Sequence, residues 1–230
     1  MIKSYSQNNE DLIVKEYFDN LNKSNEYELP FSLLEIGAND GTTFSNSRLL
    51  IEHGWDAYLV EPSSAFLELS KFHNDRIKLK YAGISESQMK EEIQPTLGLF
   101  NIAIGEKNEM AYFYESGSIL NQGDSNLVSS SNPDQRWVAE TNFTKTSAEF
   151  MTFESFIEKF NIEFLDFISI DAEGMDWAIL SQINLHALVT KCVCVEWNSD
   201  PKLLSLYSDY CGEFGLKEIH RNAENVIFAM

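Results

Sequence analysis

The run Leu33-Leu34-Glu35-Ile36-Gly37-Ala38-Asn39-Asp40-Gly41 constrains the fold more than any other part of this chain. Phe31, Leu33, Leu34 and Ile36 suit a strand covered on both faces, as strands are in a parallel sheet between layers of helices. Gly37 and Gly41 then allow positive φ and close backbone approach at the strand's carboxyl end. A helix is predicted next, from Thr42 or Phe44 to His53. Trp55 to Val60 repeats the apolar pattern and ends in Glu61, twenty residues after Gly41. An acidic side chain there can accept both hydroxyls of a bound ribose.

The spacing selects among nucleosides. The dinucleotide fingerprint G-x-G-x-x-G uses its second glycine to bring backbone against a pyrophosphate, and Asn39 holds that place here. A nicotinamide-dependent enzyme acting on a sugar nucleotide is disfavoured on this ground. The pattern Glu35-x-Gly37-x-x-x-Gly41 suits S-adenosylmethionine better, since that molecule has no phosphate and carries a sulfonium cation and an amino acid end. Glu35 and Asp40 would set negative charge near the cation.

The same alternation continues along the chain. An amphipathic helix from Glu10 to Leu21 is predicted to pack on the sheet edge, and Glu26 to Pro30 links it to the first strand. Ser63 or Ser64 caps a short helix whose Phe66, Leu67 and Leu69 face the core. A weak strand is expected over Ile77 to Ala82, a linker over Ser85 to Pro95, and a continuous strand from Leu97 to Gly105. Glu106 to Glu109 reads as a turn, with Met110 to Tyr114 returning as the second arm of a hairpin. Glu115 to Phe150 is polar and rich in Ser, Asn and Gly, and is expected to be a loop or cap over the site. Trp137, Phe143 and Phe150 within it could stack on a sugar ring or anchor the segment.

After a helix from Phe153 to Phe160, strands end at Ile170 and Glu196, with a helix from about Met175 to Gln182 between them. A helix through Leu203 to Phe214 and a hairpin of Leu216 to His220 with Asn225 to Ala229 complete the chain. Alternating strands and helices predict a doubly wound sheet with ligands at the strands' carboxyl ends. Glu35, Glu61, Asp171 and Glu196 all stand there.

With 230 residues, 43% hydrophobic and 13% aromatic, the chain can bury a substantial core as one domain over 1–230, with an N-terminal helix at about 8–22 and an insertion at about 115–150. Its formal net charge of −19 disfavours nucleic acid and anionic membrane as partners. A small neutral or cationic acceptor fits more easily. No apolar run reaches membrane-span length and residues 1–7 lack a signal-peptide core, so a cytoplasmic location is expected. Cys192, Cys194 and Cys211 have no zinc-type pairing and read as small apolar side chains. His53, His73, His186 and His220 read as structural or exposed.

Four blocks together resemble the FkbM-type S-adenosylmethionine-dependent methyltransferases: Tyr5-Ser6-Gln7-Asn8-Asn9-Glu10-Asp11, Leu34 to Gly41, Val60-Glu61-Pro62, and Phe167-Ile168-Ser169-Ile170-Asp171-Ala172-Glu173-Gly174. A weaker echo is Asn101 to Gly105. The resemblance implies a Rossmann-like class I methyltransferase fold: an α/β, mostly parallel seven-stranded sheet with an antiparallel terminal strand and helices on both faces. It implies O-methylation of a hydroxyl on a sugar, glycan or small natural product. By the same resemblance Gly37, Asn39 and Gly41 line the methionine end, Glu61 the ribose, Asn101 and Ala103 the adenine region, and Asp171 faces the methyl-transfer centre. Glu35, Ala38 and Pro62 complete the expected cofactor-binding set.

Methyl transfer from a sulfonium asks the protein mainly to align acceptor oxygen, methyl carbon and sulfur. A carboxylate in reach of the acceptor hydroxyl is the expected helper. Asp171 is the first candidate and Glu173 the second, with capping of the helix near Met175 as the competing role for either. Asp171, Glu173 and Glu196 could also hold magnesium. A module that binds the nucleoside without catalysis is a further alternative.

Overall fold

The structure is a computed structural model, which describes residues 2–23, 31–71, 97–116, 128–131 and 143–230. Helices are α1 (Glu10–Lys23), α2 (Arg48–Glu52), α3 (Phe153–Phe160), α4 (Asp176–Leu180) and α5 (Pro201–Glu213). Strands are β1 (Ser32–Ile36), β2 (Asp56–Val60), β3 (Leu97–Phe100), β4 (Ala103–Ile104), β5 (Glu109–Ser116), β6 (Phe143–Met151), β7 (Phe167–Ile170), β8 (Cys192–Glu196), β9 (Lys217–Arg221) and β10 (Asn225–Ala229). The main sheet runs β3-β2-β1-β7-β8-β10-β9. Its neighbours pair in parallel except at β10, which is antiparallel to both β8 and β9. This is the expected doubly wound α/β sheet with a terminal hairpin. The weak strand at Ile77 to Ala82, both linkers, His73 and Trp137 lie outside the described residues.

Each central strand is apolar on both sides because each side has its own layer to meet. Leu33 packs with Val14, Phe18, Leu50 and Trp55 on one face. Leu34, one residue on, packs with Phe156, Leu180 and Val193 on the other. Cys192 and Cys194 point into the first layer and are fully buried, as expected of small apolar side chains. Helix α1 covers the face of the sheet, against Phe31, Leu33 and Trp55, and not its edge. The rings of Phe18, Phe31 and Trp55 meet at 4.7–4.9 Å, and Val14, Phe18, Ile13, Tyr17 and Leu21 of α1 pack on this layer.

Local chemistry explains the helix ends. Thr152 accepts the Ser155 N–H at the start of α3, and Asn161 closes it in the left-handed conformation. Asp200 caps α5, with Pro201 at the first position. Leu67, expected in the core, is 64% exposed.

Further expectations are corrected by the tertiary fold. The helix after Gly41 does not begin at Thr42 or Phe44; only Arg48–Glu52 is helical, because Ser45, Asn46 and Ser47 donate to the Glu35 carboxylate instead of entering a helix. The stretch from Leu97 to Gly105 is not one strand. It breaks at Asn101-Ile102, where the Asn101 amide donates to the carbonyls of Glu61 and Pro62, and β4 passes into a second sheet.

That sheet, ordered β4-β6-β5, overturns the hairpin of Leu97–Gly105 with Met110–Tyr114. β5 pairs antiparallel with β6 and β4 pairs parallel with β6. The end of the supposed loop, Phe143–Met151, is thus a strand. Its polar alternation hid it, and only Ala148, Phe150 and Met151 of it are buried. Phe150 anchors the small sheet against Ala103 and Phe113. Among the described residues no helix is long and apolar enough to cross a membrane.

Candidate active site

The glycine turn after β1 is held by backbone alone. The N–H groups of Gly37 and Ala38 both donate to the Val60 carbonyl, at 3.0 and 3.1 Å, and Gly41 N–H donates to Ala38 at 2.9 Å. Gly37 has φ of +87°, and a Cβ there would sit 1.8 Å from the Asp171 carbonyl oxygen. Glycine is therefore demanded by close packing of β1 against β7 as well as by conformation.

Glu61 ties this turn to the tip of β2. One carboxylate oxygen accepts the Asn39 N–H and the other the Ser63 N–H, each at 2.8 Å. Asn39 adopts a left-handed φ of 46° to make that contact. Each oxygen keeps a second lone pair for a ligand. Burial raises the Glu61 pKa against these hydrogen bonds, and the nearby Glu115 raises it further.

Glu35 and Asp40 differ from their expected part. Asp40 accepts the N–H groups of Thr42 and Thr43 and the Thr43 hydroxyl, so it builds the loop and does not face the cleft. Glu35 is 4% exposed and accepts from Asn46 N–H and the Ser45 and Ser47 hydroxyls. Burial raises its pKa to about 7 despite those donors.

The second acidic turn follows β7. Asp176 accepts Ala172 N–H at 2.8 Å and Gly174 N–H at 3.0 Å, while Glu173 and Gly174 take positive φ. The work of holding this turn and the start of α4 thus falls to Asp176, which the sequence reading passed over although it is the third acid of the Asp171-Ala172-Glu173-Gly174-Met175-Asp176 block. Asp171 is relieved of the capping role. Its carboxylate accepts no hydrogen bond from the described residues. Burial, then Asp176, Glu35, Glu61 and Glu10, raise its pKa to about 7. Burial likewise raises Asp176 to about 6.

Carboxylate oxygens of Asp171, Glu173 and Glu196 lie within 4.8 Å of one another. Burial and then the charges of Asp171, Glu173 and Asp176 push the Glu196 pKa well up. Such crowding favours sharing a proton or facing a cation.

These groups open on one cavity of about 500 Å³ at the carboxyl ends of β1, β2, β7 and β8. Glu35, Gly37, Ala38, Asn39, Glu61, Pro62, Ala103, Asp171 and Glu173 all reach its wall. Gly41 and Asn101 do not: Gly41 closes the turn behind the wall, and Asn101 braces residues 61–63 from outside. Gln7, Phe44, Asn198 and Glu224 also line it, although no spacing in the sequence pointed to them. Gln7 belongs to the N-terminal block, which carried a resemblance but no assigned role.

Comparison with curated protein sequences returns no match. Among solved structures, a methyltransferase FkbM from Methylobacillus flagellatus KT is 12% identical and aligns over 88% of this chain and 45% of its own, with a TM-score of 0.48. The chain thus spans under half of that protein. The N-terminal domain of human METTL16 in complex with SAH is 10% identical over all of this chain and 72% of its own, at a TM-score of 0.43. The model of the methyltransferase FkbM domain matches residues 35–207. That span contains both acidic-glycine turns and the strand tips around the cavity, and the chain belongs to the FkbM family of S-adenosylmethionine-dependent methyltransferases.

Proposed function

We propose that the cavity carries out O-methylation of a hydroxyl on a sugar, glycan or small natural product. The observation that carries this reading is the Asp171 carboxylate, which faces the cavity with no hydrogen-bond donor among the described residues while Asp176 holds its turn. A base whose pKa lies near 7 is suited to take a proton at neutral pH.

The cleft fits S-adenosylmethionine on its own chemistry. The Gly37-Ala38-Asn39 turn sits on the wall with its backbone packed against the Asp171 carbonyl, and six carboxyl groups line that wall where a sulfonium would sit. Glu61 and the Gly37-Ala38-Asn39 turn would hold its nucleoside and amino acid parts, with Pro62 and Ala103 beside the base. Asn101 acts in this reading only through residues 61–63, and Gly41 only through the turn. When bound, the cofactor supplies an electrophilic methyl on sulfur. Asp171 would orient the acceptor hydroxyl and accept its proton as the hydroxyl oxygen takes up that methyl. Glu173 and Glu196 set their carboxyl groups beside that of Asp171, within 4.8 Å. Magnesium is not needed for this step, because a protein oxygen base already stands at the site.

Calorimetric titration with S-adenosylhomocysteine, run beside NAD, tests the cofactor. Micromolar binding of the first alone is expected, and binding of NAD alone would refute the reading. In an acceptor screen with labelled cofactor, Asp171→Asn is expected to lower the rate about 10²-fold or more with cofactor affinity retained. A double Asp171→Ala, Glu173→Ala variant that methylates at the normal rate would remove the base assignment. Cofactor binding without transfer to any hydroxyl would favour the non-catalytic module.

A further inference from the structure

The N-terminal block is built into the cavity by two carboxylates that the reaction does not use. Asp11, fully buried, accepts the Tyr5 N–H at 2.7 Å and the Ser4 and Ser6 hydroxyls at 2.7 and 2.9 Å. Glu10, also fully buried, accepts Asn8 N–H at 2.8 Å and the amides of Asn222 and Asn225 at 2.7 and 2.9 Å. Asn8 in turn donates to Glu224 at 3.0 Å, and Ser6 bridges Phe44 as a short parallel pair. Residues 4–9 are thereby strapped across the carboxyl end of the sheet, from the loop after β1 to the turn between β9 and β10.

This arrangement leaves Gln7 at the cavity wall, exposed, with no hydrogen bond from the described residues. Ser6 and Asn8 on either side of it contact Phe44 and Glu224, which line the same cavity as Asn198 and Ala223. The cofactor-side residues occupy the tips of β2, β1 and β7, a width of roughly 10 Å at the usual strand spacing. The tips of β8 and β10 lie as far again beyond them. Gln7 therefore stands on the acceptor side. The 47% exposed ring of Phe44 and the amides of Gln7 and Asn198 together offer an apolar face beside polar atoms, which matches a sugar ring. Six carboxylates line the cavity, and no Lys, Arg or His among the described residues does. An anionic group entering this partly desolvated cleft would give up hydration with no cation on the described wall to pair with.

We infer that Gln7 is an acceptor-specificity residue, presented by the 4–9 strap, and that the acceptor is a hydroxyl-rich molecule without phosphate or carboxylate near its reacting end. This rests on the methyltransferase reading above and names the substrate class of that site.

The test uses the full chain saturated with S-adenosylhomocysteine and reads ligand contact by saturation-transfer NMR, without turnover. Probes are the methyl glycosides of glucose, mannose, galactose and rhamnose, and glucose 6-phosphate. At least one neutral glycoside is expected to bind about tenfold more tightly than the phosphate ester. Gln7→Ala is expected to weaken that glycoside about tenfold, the size of one lost polar contact, with S-adenosylhomocysteine affinity unchanged. Equal or tighter binding of the phosphate ester, no contact with any neutral glycoside, or an unaltered Gln7→Ala would each overturn the inference. Failure of S-adenosylhomocysteine itself to bind would instead strike the methyltransferase reading.

Discussion

Glu35 offers a direct measure of what the cleft costs the fold. It is 4% exposed, and burial moves its pKa from the ordinary 4.5 to about 7. Below pH 4.5 both folded and unfolded chains hold the proton and there is no penalty. Between 4.5 and about 7 the unfolded chain ionises while the folded one stays protonated, so stability falls as pH rises through the folded pKa. Each pH unit in that interval is worth about 1.4 kcal/mol, or about 3 kcal/mol in all. Between pH 5 and pH 8.5, allowing for partial titration at the lower end, about 2.5 kcal/mol of it is lost. Glu35→Gln removes the titration, keeps an acceptor for Asn46 N–H, and gives up about 1 kcal/mol of hydrogen bonding to Ser45 and Ser47. The variant should be the less stable protein at about pH 5 and the more stable one at about pH 8.5. Urea unfolding followed by circular dichroism, with equal slopes for both proteins, gives the difference directly. Curves that stay parallel within about 0.5 kcal/mol across this range would show that Glu35 is ionised throughout and refute the reasoning.

Gly37→Ala should cost about 3 kcal/mol, from a left-handed backbone and from forcing β1 away from the Asp171 carbonyl. S-adenosylhomocysteine binding should fall with it, and a fully stable variant that binds normally would contradict the packing described. Thr190 is fully buried with its hydroxyl unpaired among the described residues, so Thr190→Val should raise stability by about 1 kcal/mol. That amounts to a rise of about 2–4 °C in Tm, read by a thermal scan, and a fall in Tm would count against the unpaired hydroxyl. If Asp171 is the base, the rate of methyl transfer should rise with pH through about 7. A rate flat from about pH 5 to 9 would exclude that role.

Much of the sheet was legible because strand-length apolar runs and acidic tips are local signals. Leu33-Leu34, Phe167 to Ile170 and Cys192 to Val195 need only neighbours on both sides to become central strands. What escaped was set by partners far away in sequence. Ser45 to Ser47 carry no mark against a helix until Glu35 is seen beneath them. Nothing around Asn101 announces a change of sheet until residues 61–63 present their carbonyls. Phe143 to Met151 is polar on one side because the small sheet has only one covered face.

The site divides in the same way. The sequence by itself determined the family, the two glycine turns and the acids at the strand tips, since a positive φ or a strand end is decided within a few residues. Only the tertiary structure decided which acids brace the protein and which face the cavity. Asp40 and Asp176 turned out to hold loops, Asp171 to face the cavity without a protein donor among the described residues, and Gln7 to line the cavity wall. The physical reason is that a carboxylate's role depends on which donors reach it. Those donors are brought by strand register and by a strap held over the buried Glu10 and Asp11, and no local spacing encodes them.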